Sequence, residues 1–188
     1  MAAADLAAHI EETLGPIEGG WSETVAGEPL WFKVIRVLDR PVPNAATFLT
    51  LGASDVELTL PTGRGVRQEL VFSCDHRHRS SPIPALLNAV GEELLRGGKA
   101  LTRGDILGPA GPLFAGSPFT ALYSSLPIFF SKAFATWSGS TPPTVFAWLI
   151  PITTVEATFV ADQGWSEFES LLEARDPDLL DLDRPSVV

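Results

Sequence analysis

Cysteine is nearly absent from this chain, since Cys74 is the only one among 188 residues. A single cysteine cannot form an intramolecular disulfide, so a disulfide-stabilised scaffold is excluded. Long apolar runs are also lacking. The least charged stretch, 106–155, contains Lys132 as its only charged residue, but several prolines interrupt it. The sequence therefore predicts a buried core in this stretch and no membrane-spanning segment.

The start of the chain lacks the basic residues that open a secretory signal peptide. Asp5 stands where such a peptide carries lysine or arginine, and no long apolar segment follows it. We therefore expect a cytoplasmic protein.

Positive charge is scarce, because 13 lysines and arginines face 23 acidic residues and give a net charge of -10. Nucleic-acid binding needs clustered basic side chains that contact the phosphates, so we expect no nucleic-acid partner. The acids concentrate at the ends: no basic residue precedes Lys33, and 167–183 holds seven acids against one arginine. Two explanations stay open. The acidity keeps the protein soluble, or it complements a basic protein partner.

Hydrophobic patterning predicts a single α+β domain spanning 1–188, in which helices pack on a mixed β-sheet. The clearest helix is 82–95, which has leucines at helical spacing, prolines at its start and Gly97-Gly98 at its end. Apolar and β-branched runs predict the strands, and 145–150 is expected to be central. The predicted strands are 30–37, 47–51, 67–74 and 145–150, a first helix is 4–14, and 104–118 is a loop or a pair of short strands.

Two capping boxes predict the starts of two further helices. Thr153 with Glu156 fits the pattern Thr-x-x-Glu, and Ser166 with Glu169 fits Ser-x-x-Glu. In such a box the first side chain accepts from a backbone N–H three residues on, and the glutamate reaches back.

The motif Cys74-x-His76-x-His78 carries zinc-ligand side chains two residues apart. On a continued strand these three would share one face. The alternative is a strand that ends at Cys74 and runs into a polar loop, in which Arg77 and Arg79 would disfavour a cation. A serine nucleophile is not indicated either, because Gly52–Asp55 lacks the second glycine of a nucleophile elbow. We therefore expect no enzyme and no cofactor.

Candidate partner-binding residues are one tryptophan and a group of acids near the end of the chain. Trp137 is flanked by small polar residues, which suits a surface anchor, although partial burial under a loop is the alternative. The acids would hold a basic partner, or would only keep a helix soluble and favour its N-terminus. They are Glu167, Glu169, Glu173, Asp176 and Asp178.

Four short segments together resemble the suppressor-of-fused domain family. The segment 47–55 contains Thr-x-Gly-x-Ser-Asp, 67–71 opens with Arg-x-Glu-Leu, 149–156 contains Pro-Ile-x-x-x-Glu, and 183–188 matches the usual ending of the family. They occur in the expected order from about residue 45 onwards, and the first 40 residues carry less of the resemblance.

The resemblance implies a mixed-sheet α+β domain without catalytic residues. Animal members of the family bind and restrain a transcription factor, and bacterial members resemble immunity proteins of polymorphic toxin systems. We therefore predict a non-catalytic immunity protein that neutralises a cognate toxin domain, and the acidic charge favours a basic one. Two alternatives are a regulatory or scaffold binding protein unrelated to toxins, and a metal-dependent hydrolase that uses Cys74, His76 and His78.

The residues of the matching segments are expected to be structural and not partner-binding. Gly52 would allow a turn with positive φ, and Asp55 would pair with Arg67 across adjacent strands. We expect 176–188 to form an acidic C-terminal tail. The predicted structural residues are Gly52, Asp55, Arg67, Glu69 and Glu156.

Overall fold

The computed structural model describes residues 2–23 and 27–188. Within these residues the α-helices are α1 (Ala2–Leu14), α2 (Ile83–Gly97), α3 (Thr154–Gln163) and α4 (Trp165–Arg175). The strands are β1 (Gly19–Glu23), β2 (Pro29–Leu38), β3 (Ala45–Leu51), β4 (Leu58–Thr59), β5 (Gly65–Asp75), β6 (Ile106–Leu107), β7 (Phe119–Ser125), β8 (Thr136–Trp137) and β9 (Thr144–Thr153). None of these helices has both the length and the apolarity needed to cross a lipid bilayer.

The strands form one mixed sheet in the order β1-β2-β3-β5-β9-β7-β6, with β4 paired to β5 and β8 paired to β9. Strands β5 and β9 run parallel, and Leu70 lies opposite Ala147. A parallel pair needs a long crossover, and the chain between these two strands includes α2 and β7. Strand β9 lies between β5 and β7, so the prediction of a central strand at 145–150 is confirmed.

Both faces of the sheet are buried. Phe48 of β3 and Leu70 of β5 point into one core, which α2 covers, whereas the adjacent Leu49 and Val71 point into the other. Helices α1, α3 and α4 cover that second core. Because successive strand residues face opposite sides, strands buried on both faces appear as unbroken apolar runs. The predicted α+β architecture, a mixed sheet packed by helices, is confirmed.

Helix α2 confirms the strongest prediction from periodicity. It follows Pro82 and ends where Gly98 adopts the left-handed conformation with φ 66°. Gly91 lies against the aromatic ring of Phe32, and a Cβ there would come within 2.3 Å of the Phe32 Cζ atom. The glycine therefore permits the close approach of α2 to β2.

Only one of the two predicted capping boxes forms. The Thr153 hydroxyl accepts from the Glu156 backbone N–H at 3.2 Å, and Glu156 Oε2 accepts from the Thr153 N–H at 2.8 Å. The box at Ser166 is wrong, because α4 begins at Trp165 and its cap residue is Gly164, two residues before Ser166. Glu169 instead accepts hydrogen bonds from outside the helix.

The segment 176–188 is a packed part of the domain and not the acidic tail that was expected. The Arg184 guanidinium donates to buried Glu156 at 2.7 Å, and the Val187 N–H donates to the same carboxylate at 3.0 Å. Most apolar side chains of the segment 176–188 are buried, as is one arginine: Leu179, Leu180, Leu182, Arg184 and Val187. The segment therefore fastens the end of the chain to the start of α3.

Candidate functional site

A short apolar segment after β7, Leu126–Phe129, lies at the surface, and we call it the apolar loop. Leu126, Ile128 and Phe129 are 53%, 66% and 49% exposed. The Ile128 N–H donates to the Leu126 carbonyl at 2.8 Å, and the Phe129 ring lies 5.1 Å from that of Trp148. Contiguous exposed apolar side chains mark interaction sites. The stretch 106–155, in which the sequence predicts a buried core, therefore also contains an exposed apolar segment.

A groove of about 530 Å³ runs beside the apolar loop. Apolar side chains, among them Pro127, Phe130 and Val145, form much of its wall. Lys132 and Arg103 contribute positive charge to the same lining. The groove has the size and apolar character to accept a side chain from a bound protein.

Helix α4 adjoins the apolar loop through a polar cluster centred on Glu169. Its carboxylate accepts from Arg103 Nε at 3.0 Å and from the Tyr123 hydroxyl at 2.7 Å, and the side chain of Ser125 also bonds to it. Burial alone would raise the pKa of Glu169, but these hydrogen bonds outweigh it and hold the pKa below its ordinary value. Burial and the bond to Glu169 raise the pKa of Tyr123.

The predicted acidic surface therefore divides into one internal acid and several external ones. The Glu169 side chain is largely buried and forms an ion pair with Arg103, and its hydrogen bond with Tyr123 links α4 to β7. Four of the five acids are exposed: Glu167, Glu173, Asp176 and Asp178. These acids give α4 and the turn after it a negative surface, and their role in binding stays a prediction.

Trp137, the predicted aromatic anchor, is half-buried in β8 and packs against the second core. A Cβ atom on Gly139 would come within 2.2 Å of the Trp137 ring, so the turn that follows the strand lies directly on the indole. The alternative of partial burial under a loop is confirmed. Trp137 presents less apolar surface to a partner than the apolar loop does.

Glu69 is buried beneath the turn that follows β3. Its carboxylate accepts from the Gly52 N–H at 2.9 Å, from the Ser54 N–H at 3.1 Å and from the Ser54 hydroxyl at 2.7 Å, and Thr50 also donates to it. Burial raises the pKa of Glu69, and these hydrogen bonds oppose the rise. Gly52 has φ 106°, which confirms its predicted positive φ. The motif 50–55 therefore surrounds a buried acid.

The predicted ion pair between Asp55 and Arg67 is wrong. Asp55 lies in a one-turn 3₁₀ helix and not in a strand. Arg67 Nη1 donates to the backbone carbonyls of Ser54 and Asp55, each at 2.8 Å. The Arg67 side chain therefore holds this turn through the backbone carbonyls of Ser54 and Asp55, and not through the Asp55 carboxylate.

Cys74, His76 and His78 do not converge on a metal site, so that alternative is wrong. Cys74 is fully buried in β5, and burial, followed by the charge of Asp75, raises the pKa of its thiol to about 12. After Asp75 the chain turns away in a 3₁₀ helix, His76–His78, and His76 contacts Arg79. The buried thiol and the two imidazoles therefore lie on different elements and do not share one strand face.

His78 instead lies beside the carboxylates of the last segment. Its Nε2 atom is 3.2 Å from Asp181 and 3.7 Å from Asp183. Arg77 pairs with the same Asp181 carboxylate. The arginine thus supplies the positive charge at this cluster, and the contacts join the end of β5 to the C-terminal segment.

The class of protein follows from these features: an α+β domain whose mixed sheet carries helices on both faces, with an exposed apolar loop and an acidic helix α4. The chain belongs to the suppressor of fused protein (SUFU) family, whose model matches residues 28–185. The resemblance found in the sequence is confirmed. Among proteins of curated function, none matches this sequence.

Solved structures share the fold. A SUFU homologue from Neisseria gonorrhoeae aligns with a TM-score of 0.78 and 18% identity, over 99% of this chain and 96% of its own. A chain of the Sufu–Fu complex aligns at 0.71 and 15%, covering 99% and 91%. Drosophila Suppressor of Fused aligns at 0.69 and 16% over 99% of this chain and 50% of its own length. At these identities the likeness establishes the fold.

Proposed function

We propose that this chain is a non-catalytic protein-binding domain that acts as an immunity protein and neutralises a cognate toxin domain by covering it. The apolar loop carries the proposal, because three large apolar side chains stand exposed on one short segment. Such a segment is stabilised when a partner buries it. The Sufu–Fu complex, which has the same fold, is an assembly with a protein partner.

The apolar loop suits a partner with an apolar centre, and the net charge of -10 favours a basic partner over an acidic one. Burying one large side chain of the loop contributes about 1.5–3 kcal/mol. The exposed acids of α4 would attract a basic partner, and charges of this kind chiefly raise the association rate. Their field extends about 8 Å at physiological salt. An immunity role also implies that the protein works in the cytoplasm, where it would meet the toxin domain.

Co-expression with a toxin domain tests the proposal. The candidate toxin is the C-terminal domain of the protein encoded by the gene immediately upstream. It qualifies for the test when its expression alone stops growth. The chain should restore growth, and Ile128→Asp should abolish the rescue because it places a charge in the buried centre of the interface.

Val155 provides a matched control, since it is 56% exposed on α3 and lies outside the apolar loop. Val155→Asp should rescue as well as the unaltered chain. Failure of the unaltered chain to bind or neutralise the toxin domain would contradict the immunity role and favour a regulatory or scaffold role.

A further inference from the structure

A separate cavity of about 590 Å³ lies between the β1–β2 hairpin and the first half of α2. This volume is within the range of small-ligand sites, roughly 300–1,000 Å³. Trp21 and Leu30 supply apolar walls, and Arg36 and Arg79 supply positive charge. Two arginines in one cavity are a notable local charge in a chain whose net charge is -10. The cavity is therefore suited to an anion with an apolar part.

Two buried polar atoms at this cavity lack hydrogen-bond partners among the described residues. They are Nε of Arg36, a donor, and Oδ1 of Asn88, an acceptor. The Arg36 guanidinium lies 5.7 Å from the centre of the Trp21 ring. Both atoms are closed to solvent, so they lie behind the surface of the cavity, and the positive charge and aromatic face of the lining are what a ligand would meet.

The chemistry of the lining selects a class of ligand. A carboxylate accepts two hydrogen bonds from a guanidinium, and the lining offers that of Arg36 and that of Arg79, whose Nη1 also contacts His76. An aromatic or aliphatic body suits the faces of Trp21 and Leu30. Glu23 is an exposed acid in the lining, and its charge favours a monoanion over a dianion such as phosphate.

We propose that this cavity binds a carboxylate carried on an aromatic or apolar body, with Arg36 and Arg79 holding the carboxylate and Trp21 packing on the body. The carboxylate comes from a free small molecule or from the C-terminus of a peptide. Both sources present the same chemistry to the cavity, and the site does not depend on the apolar loop.

The test follows the indole N–H signal of Trp21 by NMR, assigned with Trp21→Phe, during titration with phenylacetate. We expect a saturable shift that phenylacetamide does not produce and that inorganic phosphate produces more weakly. Arg36→Gln should weaken phenylacetate binding by about tenfold or more, and Arg79→Gln should weaken it without loss of fold, because Arg79 is exposed. Arg64→Gln, which removes an exposed arginine outside the cavity, should leave binding unchanged.

A comparison of N-acetyl-glycyl-phenylalanine with its C-terminal amide separates the two sources. Tighter binding of the free-acid peptide than of phenylacetate assigns the site to a peptide C-terminus, and equal or weaker binding assigns it to a small carboxylate. The proposal is overturned if neither acid shifts the Trp21 signal, if the amides bind as well as the acids, or if Arg79→Gln and Arg36→Gln bind as the unaltered chain does.

Discussion

Replacement of Arg184 by methionine should destabilise the domain strongly, because it leaves a buried carboxylate without its cation. Arg184 is 3% exposed and Glu156 is 0% exposed. The two Nη atoms lie 2.7 and 3.2 Å from the carboxylate oxygens, and Nη2 also donates to the Pro151 carbonyl at 3.1 Å. The guanidinium carbon lies 4.9 Å from the centre of the Phe119 ring. Methionine retains some of this packing but none of the charge.

The expected loss follows from the geometry of the pair. Removing one partner of a buried ion pair costs about 3–5 kcal/mol. Glu156 would keep the backbone N–H groups of Thr153 and Val187, so we expect the lower part of that range. For a domain of this size, about 3 kcal/mol corresponds to a fall in Tm of roughly 6–12 °C.

Urea unfolding at pH 7, followed by tryptophan fluorescence, measures this loss. Arg175→Met is the matched control, because Arg175 is exposed in the last turn of α4, and it should change the free energy of unfolding little. The double variant Arg184→Met with Glu156→Gln should recover part of the loss, since no charge is then left buried. A loss below about 1 kcal/mol in Arg184→Met would refute the assignment of this pair as an anchor of the C-terminal segment.

Three further predictions concern ionisable side chains. The folded pKa of Glu169 is lowered, so the contribution of this carboxylate to stability is present above the ordinary pKa of 4.5 and is lost as pH falls through the folded value. Glu169→Gln should therefore have a lower free energy of unfolding in urea than the unaltered chain at pH 7, and the difference should disappear in acid. A difference that does not depend on pH would contradict this. Cys74, buried with a pKa of about 12, should react with a disulfide reagent only as fast as the protein opens, and rapid labelling of the native protein would count against its burial. Reversing the charges of Glu167, Glu173 and Asp176 should slow association with the toxin domain and flatten its salt dependence, and unchanged association kinetics would leave solubility as their role.

Elements with a strong local pattern were predictable from the sequence. Helix α2 combines apolar residues at helical spacing with proline at one end and glycine at the other, and β9 is an apolar run long enough to cross a buried sheet. Strands β1 and β7 were not predicted. Two glycines open β1, and Thr120, Ser124 and Ser125 interrupt the apolar pattern of β7; pairing with neighbouring strands, which local sequence does not show, determines both.

The candidate site was less predictable, because it depends on contacts between residues far apart in the chain. Glu169 fits a capping box, yet Arg103, 66 residues away, pairs with it. The apolar loop resembles core in composition, and only the folded arrangement leaves Ile128 outside. The one sequence signal for the loop is a proline within an apolar run that directly follows two serines.

The affinity of the Ile128→Asp variant for the toxin domain tests the central claim most directly. Surface-binding measurements would compare it with the unaltered chain and with Val155→Asp, after thermal melting has shown that all three are folded. If the apolar loop is the centre of the interface, Ile128→Asp should raise Kd by about 30-fold or more, mainly through faster dissociation, while Val155→Asp stays near the unaltered value. A Kd for Ile128→Asp within about twofold of the unaltered chain would contradict protein binding through this loop.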